Sequence, residues 1–334
     1  MLNRHFLRSK VLQFLYSYYI GDKKDMTIEE SNMFTNIDKL YDLEVYLIST
    51  IFEMQDIAFE VIEEGKNKFL PTEEEKNPNM RFVQNPMFSL MRECEQLQST
   101  MKILHINWGD QKPTLRATFD HFRTSDSYKD YMAKESVTYE EHRRIIVQMF
   151  KNYIIKNSNF FDELADKSFT WQDDYEYVCQ IVIVLLRNWE EDKGKDKILP
   201  LPFDKTIDNE IESDRDYTRN LFRNTIIHWD DYEPIIIRRL LNWDRDRLAF
   251  IDIILIKMAI SEFIYAPTIP VRVTLNEYIE LAKEFSTEKS RLFVNGILDR
   301  IIIDLRTEGK IQKIEDDEYL SDVVNKEKKD EQEC

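Results

Sequence analysis

Arg4, His5, Arg8 and Lys10 fall within seven residues of one another, with Phe6 and Tyr16 close by. Positive charge beside aromatic rings is the chemistry that holds phosphates and stacks bases. An ordinary solvated helix end carries the same residue types, and composition alone leaves both readings open. A second basic pair, Lys289 and Arg291, follows Ser286 and Thr287, where the amides of a helix start would add anion-favouring donors. Nothing comparable exists for catalysis. The five histidines are scattered, and His-Glu-x-x-His, Gly-x-Ser-x-Gly and glycine-rich phosphate loops are all missing. Asp173 with Asp174, or Asp230 with Asp231, could hold a divalent ion, but both pairs stand where helices should start and acids favour the helix dipole. The residues therefore name no catalytic centre, no metal site and no cofactor.

Composition sets the frame for those cations. Of 334 residues, 43% are hydrophobic and 33% charged, which is the soluble globular range, and the chain is long enough for a real core. Only six glycines and nine prolines are available for turns, so long helices with short connections are the economical solution and the expected class is all-α. Cys94, Cys179 and Cys334 are far apart and lack zinc spacing, which fits a reducing compartment. No apolar run reaches membrane-spanning length and no secretory leader is legible, so the expected location is the cytoplasm, away from membranes.

A net charge of −17 argues against a general nucleic-acid binder. Its distribution is uneven. Residues 1–24 carry five Lys or Arg against one acid, and residues 25–63 carry one against ten. Residues 64–213 hold 21 basic and 27 acidic side chains, residues 214–313 balance at sixteen each, and the stretch from 314 has three against nine. The N-terminus is the anion-seeking segment, whereas Asp38, Asp42 and Glu44 lie in an acidic helix that reads equally as a solvated face or as one complementary to a basic surface.

Apolar periodicity predicts helices over about 7–20, 26–64, 87–104, 113–124, 139–155 and 173–189. A loop is expected at 65–84, around Pro71 and Pro78, and a connector at 192–208. Thr274 followed by Glu277 reads as a capping box, with Ser286 or Thr287 ending that helix and starting the next. Asn295 and Gly296 read as architectural, the glycine permitting close helix approach. Trp108, Trp171, Trp229 and Trp243 each precede acids and a helical run, which reads as helix initiation. The resulting division is 1–63, an inserted helical region over 64–213, 214–313, and an acidic tail over 314–334 whose low apolar content predicts disorder.

The segments LNEYIELAKEFS (275–286) and FVNGILDRI (293–301) resemble the signature of the NusB family of bacterial transcription antitermination factors. Residues 242–263, the Ile269-Pro270 loop and RSKVLQFLYSYY (8–19) are similar to the family's central helix, loop and basic first helix, and the likeness implies a further helix over 215–241, before the central one. The likeness covers about 1–60 and 214–311. It implies an all-α, two-subdomain helical bundle, here with an inserted helical region, and a non-enzymatic RNA-binding transcription factor. The implied partners are boxA-like single-stranded RNA of ribosomal transcripts, a basic ribosomal protein of the NusE type and, indirectly, the RNA polymerase elongation complex; a homo-oligomer is also compatible. The implied RNA contacts are Arg4, His5, Arg8, Lys10, Tyr16, Lys289 and Arg291, and the implied protein contacts are Asp38, Asp42, Glu44 and Phe293. The competing expectation is a helical protein-protein interaction module that kept the fold without RNA binding.

Overall fold

The computed structural model describes residues 2–21, 25–192, 194, 199, 201–203, 213–240 and 249–313. Most of the 192–208 connector, residues 242–248 with Trp243, and the tail from 314 lie outside the described residues. The chain is all-α, with no strand among the described residues. In order the helices are α1 (Arg4–Ile20), α2 (Met26–Lys66), α3 (Glu73–Lys76), α4 (Pro86–Glu93), α5 (Glu95–Ile103), α6 (Lys112–Arg123), α7 (Asp126–Ala133) and α8 (Tyr139–Met149). A π turn over Phe150–Ile154 follows, then α9 (Ser158–Lys167), α10 (Phe169–Arg187), α11 (Asp214–Ile227), α12 (Trp229–Ile237), α13 (Phe250–Tyr265), α14 (Val271–Phe285) and α15 (Glu288–Thr307).

These helices form two compact units, one of residues 1–37 with 203–334 and one of 38–202. The boundary falls inside α2, which runs unbroken from Met26 to Lys66, and so lies earlier than the expected insertion start at residue 64. In the first unit α13 is the centre. Its sequence FIDIILIKMAISEFIY is apolar on every side, and α1, α11, α12, α14 and α15 pack around it. Ile254, Leu255, Ile256, Met258, Ala259, Ile260 and Phe263 are fully buried there. Apart from Ala259, each of these side chains contributes about 1.5–3 kcal/mol on burial, so α13 is held by area rather than by helix propensity.

The second unit builds its core from aromatic rings. Phe82 lies 5.4 Å from Phe88, 5.7 Å from Phe122 and 5.5 Å from Tyr128, in tilted and edge-on arrangements that suit ring quadrupoles. Trp108 is buried against Tyr46 at 4.6 Å and donates its indole N–H to Ser49 Oγ at 3.1 Å. Trp108 is thus a core residue tied to α2 rather than a helix starter. Trp171 and the acids Asp173 and Asp174 sit inside α10, whereas Trp229 with Asp230 and Asp231 does open α12.

Several expected boundaries move. The 87–104 stretch breaks at Cys94 into α4 and α5, and 215–241 breaks at His228 into α11 and α12. The short α3, α7 and α9 are additional. The capping box at Thr274 and Glu277 does not form. Pro270 precedes a helix that starts at Val271, and Thr274 is fully buried with its hydroxyl turned to Glu262. Thr287 does cap α15, accepting the Ser290 amide at 3.1 Å.

Gly296 also departs from expectation. It sits on the exposed side of α15, and a Cβ added there meets nothing within 4 Å among the described residues, so no described helix approaches it. Without a packing role it retains only the backbone-entropy cost of glycine in a helix. Gly296→Ala should therefore stabilise the protein by about 0.5–1 kcal/mol, read as an upward shift of the urea midpoint at constant m. A loss of stability would mean that the site is tighter than the geometry indicates.

Candidate functional site

The N-terminal cations reach the body of the first unit through a buried carboxylate. Glu262 is a lone acid near the end of apolar α13 and is 2% exposed. An isolated charge there would cost several kcal/mol, so its oxygens must be saturated. They are. Arg8 donates from Nε to Oε2 at 2.8 Å and from Nη2 to Oε1 at 2.7 Å, the bidentate fork that suits guanidinium and carboxylate. Thr274 donates to Oε1 at 2.8 Å, and Tyr217 and Tyr278 donate to Oε2 at 2.7 and 3.2 Å. One carboxylate thereby joins α1, α11, α13 and α14.

Burial works to raise the Glu262 carboxyl, but the Arg8 charge and the hydrogen bonds from Arg8, Tyr217 and Thr274 hold it below the usual range. Burial, then the Glu262 charge, push the Tyr217 and Tyr278 hydroxyls far up, so both remain donors. The adjoining cavity, lined by residues including Tyr217, Asn224, Glu262 and Tyr265, is about 10 Å³. It has room for one water and none for an organic ligand.

Around this hub the charges become more exposed. Arg8 Nη1 also donates to Glu277 Oε2 at 3.2 Å. The His5 ring lies between Glu277 Oε2, 2.9 Å from Nδ1, and Glu284 Oε1, 3.0 Å from Nε2. The bond to Glu277 is the main cause of a raised His5 pKa, reinforced by Glu284. His5 is also the main cause of the lowered Glu277 pKa. Arg4 Nε donates to Asp214 at 2.9 Å while its guanidinium lies 4.9 Å from the centre of the Tyr217 ring, and the side chain stays 24% exposed.

The cationic cluster therefore separates into three kinds of residue. Arg8 and Lys10 are each only 2% exposed, which corrects their expected place on the surface: the Arg8 charge is committed to two carboxylates, and Lys10 lies with its ammonium 5.4 Å from the centre of the Phe6 ring. His5 is held by two acids. Arg4 keeps solvent access, as do Tyr16 at 42% and Lys289. Arg291 is partly exposed and paired with Glu288. His5 reaches Glu284 at the end of α14, just before the Thr287-capped start of α15 that carries Lys289 and Arg291.

Two of the expected protein contacts are also corrected. Glu44 is 3% exposed in a stretch of α2 buried on all sides, and burial pushes its carboxyl up to about 8. Phe293 is 6% exposed and belongs to the α15 core face. Asp38 is exposed, and Asp42 is half-buried with a carboxyl raised by that burial.

Features beyond the sequence reading are the Glu262 hub and an aromatic surface at the far end of α1. Tyr16 lies 6.1 Å from Phe250, and Tyr19 stacks on Trp229 at 3.8 Å, with Lys257 4.0 Å from the centre of the Trp229 ring. Two acids, Asp252 and Glu262, and Lys257 within apolar FIDIILIKMAISEFIY were the available signal, since buried charges in such a run call for partners.

The sequence profile described as "NusB family" matches residues 176–302, from within α10 to within α15. The transcription antitermination protein NusB of Salinibacter ruber is 34% identical over 134 residues, 40% of this chain and 83% of that protein. The chain belongs to the NusB family. The same-named protein of Fervidobacterium nodosum is 38% identical over 107 residues, 32% of this chain and 73% of its own, and that of Chloroherpeton thalassium is 36% identical over 99 residues, covering 30% and 47%. No solved structure matches the chain significantly. Among the described residues no helix is long and apolar enough to cross a membrane.

Breaking a buried ion pair on one side leaves an uncompensated charge, so Arg8→Met should cost about 3–5 kcal/mol, seen as a large fall in melting temperature. His5 and Glu277 give that stability a pH window. The His5 pKa is raised in the fold, so its contribution is complete below its ordinary value of 6.5 and fades as pH rises through the folded value. The Glu277 pKa is lowered, so its contribution is complete above 4.5 and fades as pH falls through the folded value. The stability lost in His5→Gln should be largest between those limits and shrink towards pH 8. An equal loss at pH 5.5 and pH 8 would show that the ring acts by packing alone.

Proposed function

We propose that this chain is a non-enzymatic, cytoplasmic transcription antitermination factor. It binds boxA-like single-stranded RNA of ribosomal transcripts together with a basic NusE-type ribosomal protein, and meets the elongation complex through that assembly. The observation that carries the reading is membership of the NusB family, with relatives named transcription antitermination proteins. The geometry supports it with a division of labour. Arg4, Tyr16, Lys289 and Arg291 offer solvent-accessible charge or ring surface, while Arg8 and His5 fix the helix that bears Arg4. Tyr16 beside Phe250 offers exposed rings on which bases stack, a contact worth about 1–3 kcal/mol per base. Asp38 and Asp42 supply acid for the basic partner.

Few cations are available, and each neutralised phosphate on a single strand changes the salt slope by about −0.7, so RNA binding by the chain alone should be weak and strengthened by the partner. Fluorescence anisotropy with a boxA-like oligonucleotide, with and without a NusE-type protein, tests this. Arg4→Gln combined with Lys289→Glu should weaken RNA binding at least tenfold in the mixture while the loss of the Arg4–Asp214 pair costs no more than about 1 kcal/mol of stability. Absence of RNA-dependent signal in both mixtures would sink the proposal and favour the protein-interaction module.

A further inference from the structure

The second unit contains a local reversal of charge that the proposed function does not use. In α8 and the following π turn, Glu140, Arg144, Val147, Gln148 and Lys151 recur at helical spacing on one side, with Arg143 and Asn152 alongside. Arg187, in the last turn of α10, closes the other wall. Together they line an open groove of about 420 Å³ with four cations and one acid, inside a stretch, residues 64–213, that is acidic overall at 27 to 21. From Glu140 to Asn152 the groove follows about 18 Å of helix.

The cations are not all spent within the fold. Arg144 pairs with Glu140 at 3.2 Å, and Arg143 donates to the Trp189 carbonyl at 3.4 Å. Lys151 and Arg187 are exposed, with no ion pair among the described residues. The π turn contributes to their placement: the Ile155 amide bonds to the Phe150 carbonyl at 3.1 Å, a five-residue step that turns Lys151 and Asn152 relative to an α register. Such turns recur at functional positions.

We infer that this groove binds the phosphodiester backbone of single-stranded RNA. Three guanidinium groups offer planar forks matched to phosphate oxygens, and Lys151 adds a point charge. Among the described residues the wall contains one aliphatic side chain, Val147, and no aromatic ring. That lining favours a repeating anion over a peptide, which would need apolar pockets for side chains, and predicts binding that is indifferent to base sequence. The inference rests on the RNA-binding reading for its biological setting, while the groove itself is independent of Arg4 and Lys289.

The test measures anisotropy of a labelled twelve-uridine oligonucleotide with the full chain. In Arg144→Gln/Lys151→Gln/Arg187→Gln binding should weaken at least fivefold and the salt slope should flatten by about 2, as expected for about three phosphates. Glu140→Gln, which removes the acid in the groove wall, should tighten uridine binding. A circular-dichroism melt confirms that each variant is folded. Unchanged uridine affinity in the triple variant overturns the inference, as does equal displacement of the uridine oligonucleotide by a polyglutamate peptide, which would mark the groove as a site for acidic protein. If the chain fails to bind the boxA-like RNA yet binds a uridine oligonucleotide in a groove-dependent way, the antitermination reading falls and the groove stands.

Discussion

Much of the first unit depends on one fully desolvated interaction, the pairing of Arg8 with Glu262. Removing both charges from water costs several kcal/mol per ion, and the attraction between them repays that cost only when the remaining lone pairs are satisfied. Tyr217, Thr274 and Tyr278 supply those bonds from α11 and α14. Apolar packing alone would tolerate sliding of one helix against another, since Leu and Ile contacts are non-directional. Five donors converging on one carboxylate require α1, α11, α13 and α14 to be in register at once. The hub thus fixes geometry more than it adds stability.

That constraint explains why a basic segment lies against a largely apolar bundle. Arg8 anchors α1, and the residues one turn before it inherit its placement: His5 between two acids, and Arg4 beside Asp214 and over Tyr217. Arg8 is buried at 2% exposure while His5 and Arg4 are partly exposed at 28% and 24%, so the inner cation holds the helix and the outer two border water. A lysine in place of Arg8 could offer neither the two parallel bonds nor the third donor to Glu277. The same logic recurs in α13, where buried Lys257 donates to the Trp229 carbonyl and pairs with Glu233 at 2.9 Å.

The helical class was legible because few turn residues and repeated apolar spacing leave little room for another solution. The cores of α1, α14 and α15 follow the sequence directly: Val11, Leu12, Leu15, Tyr278, Leu281, Ile297 and Ile301 are all buried. Boundaries were harder. A break such as that at Cys94 carries no Pro or Gly signal, and α7 and α9 are too short for periodicity to stand out. The charged residues were least legible. Arg4, Arg8 and Lys10 look alike in one dimension, yet Arg8 and Lys10 are buried and Arg4 is partly exposed, and the carboxylates that hold Arg4 and Arg8 lie more than two hundred residues away in the chain. Glu44 misled for the opposite reason: an acid within an acidic stretch reads as solvated until α2 is seen to be buried on all sides there.

A net charge of −17 is compatible with an RNA ligand once charge is treated locally. With a Debye length of about 8 Å at physiological ionic strength, an exposed cation experiences its own neighbourhood far more than the molecular total. Arg4 and Tyr16 on α1, and Lys151 with Arg187 on the second unit, are therefore governed by the few groups within that radius. The surrounding acid still matters at longer range, where it raises the cost of approach for any polyanion that cannot reach these cations. Nonspecific RNA should be held less than the local cations alone would allow, and a basic partner would relieve that penalty by neutralising acid as it docks. Under the proposed function the acidic composition would act as a filter, making tight RNA binding conditional on the partner.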